Sequence, residues 1–321
     1  GFLLGAAAGL LGGGCSALAL YVGRFDLLLL GAGLTGIFRS THGYFRFAAA
    51  DTASEEFKPK AISLVLAGGL LSAFIGPEIV RSTADAIDST PYAGAYLAVI
   101  AINVIGSLGL LFLDIPTPPR KKKGEKSGRD LKEIFTQPKT VVAVICAMVS
   151  YAMMTLVMTS TTLAMTATGF TTAAAADVVR WHIIAMFAPS FFTGAIISRI
   201  GQLRVITIGL TLLGIAAFIS VSGDQVENFY FALIALGLGW NFGFIGSTSL
   251  LTTTHTSEEQ AKVQGLNDVL VAGLVTIASF GSGAILQIYG WEYVQYAMIP
   301  ALSLAALTIL WLAIKTRRAR A

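Results

Sequence analysis

The sequence predicts an all-α, polytopic helical membrane protein made of two pseudo-symmetric helix bundles. Three observations carry that prediction. Residues of the set A, V, I, L, M, F, W, Y and C form 55% of the 321 residues and charged residues only 12%, where a soluble globule carries about 25% charge. Mean hydropathy is +0.74, and apolar stretches of about 20 residues, enough to cross a bilayer as a helix, recur along the chain. Finally, every connection between these stretches is short except one, which is strongly basic.

In chain order, windows of about 19 residues place spans near 2–21, 26–50, 60–79 and 92–113, then near 140–165, 177–197, 204–221, 228–250, 262–287 and 293–314. The first starts on an apolar run at Gly1 with no charged leader, so the chain reads as beginning partway through a longer protein. Its Gly5, Gly9 and Gly13 form a small-xxx-small pattern that lets helices pack closely. The second span holds Arg39, His42 and Arg46, and the third carries Ala67-Gly-Gly-Leu-Leu-Ser-Ala-Phe-Ile-Gly76. Residues 114–139 form a solvated linker with seven Lys/Arg between Arg120 and Lys132; Leu131, Ile134 and Phe135 suit a short interfacial helix in its second half. Five of the seven methionines crowd the fifth span. The domain reading is a first bundle at 1–113, the linker at 114–139, and a second bundle with a short basic tail at 140–321.

Positive charge sets the orientation. With the linker in the cytoplasm, cytoplasmic segments collect 17 of the 22 Lys/Arg, the opposite side holds Arg24, Arg81 and Arg180, and Arg39 and Arg46 stay inside a span. Linker and C-terminus are therefore expected in the cytoplasm. Cys15 and Cys146 are far apart and form neither a disulfide framework nor a metal site. Ser54-Glu-Glu56 and Ser257-Glu-Glu259 follow the second and eighth spans, and Ala67–Gly76 parallels Ala272–Gly281, so equivalent spans are six apart.

The string Gly194-Ala-Ile-Ile-Ser198-Arg199-Ile-Gly201-Gln-Leu-Arg204 resembles the G-x-x-x-D-R-x-G-x-(R/K)-(R/K) loop of the major facilitator superfamily, with Ser198 in place of the aspartate. Tyr44–Asp51, Trp181-His182, Phe187–Gly194 and Gln264–Asp268 resemble a bacterial permease subgroup of that family. The resemblance implies two six-helix halves joined by a cytoplasmic loop, of which this chain holds family helices three to twelve, the first two being absent. It also implies a bacterial inner-membrane protein. A ten-helix exporter of five plus five spans would repeat at about 150 residues and lack a basic linker after span four; neither expectation fits.

Ionisable groups within a span are costly and are functional candidates. Arg39, His42 and Arg46 share one helical face, a cationic stripe suited to a carboxylate or phosphate. Tyr151, Met154 and Met158 share a face that would form an apolar wall for a bulky solute; Trp240 and Asn241 are cavity candidates by helix identity. Asp268 and His182 are candidates for coupling to protons. Gly194, Ser198, Arg199, Gly201 and Arg204 form the candidate cytoplasmic gate. Each has a structural alternative: an ion pair for Arg39, a helix-dipole contact for Asp268, a buried hydrogen bond for His182, helix contacts for the methionines.

The expected function is a proton-coupled secondary transporter that moves a small organic solute, anionic or amphipathic, by alternating access. The alternative is a multidrug efflux antiporter. A membrane-embedded enzyme is disfavoured by the lack of HExxH, GxSxG, a nucleotide loop or clustered acids. A sensor is disfavoured because the linker and tail leave no room for a signalling domain. The expected partners are a small-molecule substrate, the lipid bilayer and a proton, with no nucleic acid, no cofactor and no metal, and a monomer is expected.

Overall fold

The computed structural model describes residues 1–45, 48–49, 52–54, 57–83, 85–87, 89–110 and 128–318. Arg46, Asp51 and most of the basic linker lie outside the described residues. Chain contacts separate two compact units, Gly1–Arg120 and Lys121–Ala321.

The first unit contains α1 (Phe2–Val22), α2 (Phe25–Gly43), α3 (Lys58–Ala67), α4 (Gly69–Thr83) and α5 (Ala93–Leu110). Every buried residue of α1 is Gly, Ala or Ser, and that small-residue surface brings the helix against both α2 and α5. Gly5 and Gly12 face Thr41 and Thr35 of α2, whereas Gly13 faces Ile100 of α5. The glycine pattern thus serves two neighbours rather than one. At the start of α2, Arg24 pairs with Asp26.

The second unit contains α6 (Leu131–Phe135), α7 (Pro138–Ala167), α8 (Thr172–Phe187), α9 (Ser190–Ile200), α10 (Gln202–Val221), α11 (Val226–Thr252), α12 (Gln260–Tyr289), α13 (Trp291–Tyr296) and α14 (Met298–Arg318). The short α6 falls where the linker's apolar residues predict it, with Ile134 fully buried. Helices α7 and α11 form the interior, and α8, α10 and α12 pack around them. Helices α10 and α11 pack closely, and a side-chain carbon on Gly209 would overlap the backbone of Gly243 and Gly239.

Among the described residues, eight helical segments are long and apolar enough to cross a membrane, or nine if α8 and α9, bent by 42°, form one span. Ten spans were expected. The second of these, at 26–50, is where the count differs: α2 has 19 residues and stops at Gly43. Its polar load, with Asp26, Arg39 and His42, leaves it short of the hydropathy of its neighbours.

Gly201 joins α9 to α10 with φ 88° and ψ 156°, a region only glycine occupies without strain. Gly201→Ala is expected to cost about 1–3 kcal/mol, read as a fall of a few degrees in Tm in detergent, whereas Ser198→Ala three residues earlier leaves Tm unchanged.

Candidate functional site

An aromatic box stands inside the second unit. Its floor is Trp240 and Phe244, one turn apart on α11, with rings stacked at 5.4 Å and 14°. Tyr151 of α7 meets both edge-on, at 5.5 Å and 5.2 Å, and Phe187 at the end of α8 meets Trp240 edge-on at 5.7 Å. Offset and edge-to-face arrangements suit the ring quadrupoles. Trp240 and Phe244 are each only 3% exposed, while Tyr151 and Phe187 are half-buried and form the accessible edge. Met154 and Met158 continue the Tyr151 face along α7; Met154 is buried and Met158 half-buried.

Unspent polar atoms surround this box. Among the described residues, Trp240 Nε1 and the hydroxyls of Ser150, Ser247 and Thr248 are buried without a hydrogen-bond partner. Ser150 presses against Gly243 of α11, where glycine leaves room for its Oγ. A buried polar group left unpaired costs about 1–3 kcal/mol, and ligand pockets are built this way, with apolar and aromatic walls and a few placed polar groups.

Asn241, beside Trp240, is fully buried. Its Nδ2 donates to the Met186 carbonyl (2.6 Å) and Ser190 Oγ (2.7 Å), and its Oδ1 accepts from Thr193 Oγ1 (2.6 Å). His182 is also fully buried; Nδ1 donates to the Leu233 carbonyl (2.8 Å), and Nε2 has no partner. Asp268, two turns into α12, accepts from Asn267 Nδ2 at 3.2 Å.

The gate-loop candidates close α9. Gly194 is buried, Ser198 Oγ donates to its carbonyl (3.0 Å), and Arg199 and Arg204 are exposed. Arg39 and His42 belong to the first unit and are exposed there; the His42 ring lies near Phe38 (6.1 Å) and Phe45 (4.9 Å). Among the described residues, no three His, Cys, Asp or Glu side chains gather as a metal site. The structure therefore joins Tyr151, Trp240 and the methionine face, and sets Asn241 and His182 in the seam between α8 and α11.

Sequence reasoning missed one constellation. Glu259, whose side chain is 2% exposed, accepts from the Arg129 side chain at 2.9 Å and 2.7 Å, from the Arg129 amide at 2.7 Å and from the Thr256 amide at 3.0 Å. The Arg129 fork, followed by these amides, holds the Glu259 carboxyl far below the usual carboxylate range. Lys262 Nζ donates to the Arg129 carbonyl, so the end of the linker is fastened to the α11–α12 connection. The Ser-Glu-Glu repeat marked the position, but its partner lies 130 residues away. A depressed carboxyl contributes stability that is fully present above the unfolded pKa, about 4.3, and is lost as pH falls toward the folded value. The Tm difference between the protein and Glu259→Gln is expected to hold steady from pH 7 to about 5.5 and to shrink below about 4.3.

A family model described as Major Facilitator Superfamily matches residues 2–179 and 143–321. The riboflavin transporter RfnT of Brucella anthropi is 38% identical over 313 residues, covering 96% of this chain and 78% of that protein. The uncharacterized MFS-type transporter YdeG of Bacillus subtilis is 28% identical over 316 residues, covering 92% of this chain and 73% of that protein. Among solved structures, the transporter FucP in the outward conformation superposes with a TM-score of 0.69 at 14% identity, covering 96% of this chain and 81% of that one. A bacterial homologue of the iron transporter ferroportin in the outward-facing state gives 0.70 at 14% identity, covering 97% and 82%. At that identity the two structures establish the fold alone.

Proposed function

The chain belongs to the major facilitator superfamily of multi-pass membrane transporters, which are not enzymes, and from that premise we propose that it carries riboflavin or a closely related flavin across the membrane. The aromatic box of Trp240, Tyr151, Phe244 and Phe187 carries the reading. A flavin is a flat, uncharged tricycle with one apolar edge and one edge of amide-like donors and acceptors. Stacking and edge contacts suit its faces, and the half-buried Tyr151 and Phe187 are the rings that present such contacts at the accessible edge of the box. The 38% identity to a protein named as a riboflavin transporter points the same way. The expected amphipathic solute is thereby narrowed to a neutral, flat one, and the anionic alternative that rested on Arg39 and His42 loses weight.

The remainder of the proposal follows the charge pattern and the seam. The linker and C-terminus lie in the cytoplasm of a bacterial inner membrane, and transport is driven by a proton gradient. Asp268, half-buried, is a better proton carrier than His182, which is fully buried. The protein acts as a monomer by alternating access.

The test is uptake of radiolabelled riboflavin into proteoliposomes of the purified protein, with and without an inward proton gradient. Accumulation that unlabelled flavins suppress and lipophilic cations do not is the expected result. No flux under any gradient, or flux of lipophilic cations instead, overturns the flavin reading; the second outcome installs the efflux antiporter.

A further inference from the structure

We infer that Asn241 is a positioning residue for the aromatic box, an amide staple that fixes the bend between α8 and α9 and thereby sets where Phe187 stands against Trp240. The inference deepens the flavin reading and rests on it for its transport readout.

Pro189 has no N–H and breaks the helical ladder, and α8 and α9 diverge by 42°. Backbone groups freed at such a break need partners inside the protein, because lipid supplies none. Asn241 provides one from α11 and adds bonds to two side-chain hydroxyls beyond the break. One of its amide hydrogens goes to the carbonyl of Met186, before the break, and the other to Ser190 Oγ, after it. Its carbonyl takes the Thr193 hydroxyl one turn further on (2.6 Å), a proton that this hydroxyl shares with the Pro189 carbonyl (2.8 Å). Asn241, Ser190 and Thr193 are each 0% exposed, so water does not compete for these bonds. The staple therefore grips both arms of the bend and resists a change of angle.

Both ends of the staple adjoin the box. Phe187 follows Met186, and Trp240 precedes Asn241, so the two rings that meet at 5.7 Å are the immediate chain neighbours of the two stapled groups. Gly237, one turn before Asn241, brings α11 close to the His182 carbonyl on the same seam. If the staple goes, the backbone that carries Phe187 relaxes away from Trp240. A gap of only 0.5–1 Å forfeits about a quarter to a half of a dispersion contact, so a flat ligand lying against this pair of rings would sense it.

The test compares Asn241→Ala with two milder changes, Ser190→Ala and Thr193→Val, and with Thr193→Ser, which keeps the hydroxyl. Riboflavin KM should rise about tenfold in Asn241→Ala and about threefold in each of Ser190→Ala and Thr193→Val, with little change in maximal rate; an effect of that size corresponds to about 1.4 kcal/mol per tenfold. Thr193→Ser should keep the original KM. With Phe187→Leu already present, Asn241→Ala should add almost nothing, because the ring it positions is gone; fold-changes that simply multiply overturn the inference. A ligand-free readout separates this inference from the flavin reading. With Trp181, Trp291 and Trp311 replaced by Phe, Trp240 is the sole emitter, and acrylamide quenching should rise at least twofold in Asn241→Ala and in Thr193→Val but not in Thr193→Ser. If riboflavin is not carried at all, the flavin reading falls and the quenching series still decides the staple. Unchanged quenching in folded Thr193→Val and Asn241→Ala overturns it.

Discussion

Trp240→Ala is expected to weaken riboflavin binding by about 5- to 150-fold, since stacking a heteroaromatic ring on an aromatic side chain is worth about 1–3 kcal/mol and each 1.4 kcal/mol is tenfold in affinity. Truncating a buried tryptophan also costs about 3–5 kcal/mol of stability, so the loss of binding needs a companion that spares the fold. Trp240→Phe is that companion. The indole Nε1 has no hydrogen-bond partner among the described residues, so removing it sacrifices no folding contact seen there while most of the ring volume stays. Trp240→Phe should therefore fold as the parent does and bind riboflavin several-fold more weakly, measured by quenching of flavin emission in titrations of the purified protein. Equal affinity in both variants and the parent would remove Trp240 from the site.

Gly209→Leu is expected to abolish recovery of folded protein. Overpacking a core ordinarily costs about 1–3 kcal/mol because side chains can shift, but the atoms that face Gly209 are the backbone of Gly243 and Gly239 on α11. Backbone in a helix cannot step aside without breaking its own ladder, so α10 and α11 must separate along their whole contact. Gly214→Leu on the same helix is the control, since nothing lies within 4 Å of its added carbon. Size-exclusion profiles of fluorescently tagged variants should show a single sharp peak for Gly214→Leu and aggregate for Gly209→Leu. A sharp peak for both would mean that the two helices are held apart by more than the structure shows.

Much of the fold was legible because its cause is written locally. Hydropathy marks a span wherever lipid is the solvent, and the basic linker and the six-span repeat divide the chain without any knowledge of contacts. The bend at Pro189 was less visible, since the span at 177–197 is apolar on both sides of the proline. The site was legible in part. Tyr151 and Trp240 were chosen separately, one by a helical face and one by the helix it occupies, and the structure brings them together. Phe244 could have been found as the residue one turn from Trp240. Phe187 had no such signal, because its approach to Trp240 depends on the angle of a broken helix. Arg129 and Glu259 were hidden for a different reason: each looks like an ordinary surface charge, and only long-range folding makes them partners.

The seam between α8 and α11 has a further consequence for motion. From one end to the other it is joined by Asp177 to Tyr230, His182 to the Leu233 carbonyl, and the Met186 carbonyl to Asn241. No two of these rungs are chemically alike. Sliding one helix along the other would have to cover a full turn, about 5.4 Å, to bring side chains back to equivalent positions, and every rung would then face the wrong mate. The seam has a single register and no neighbouring one to ratchet into, so α8 and α11 are expected to travel as one piece in any change of shape.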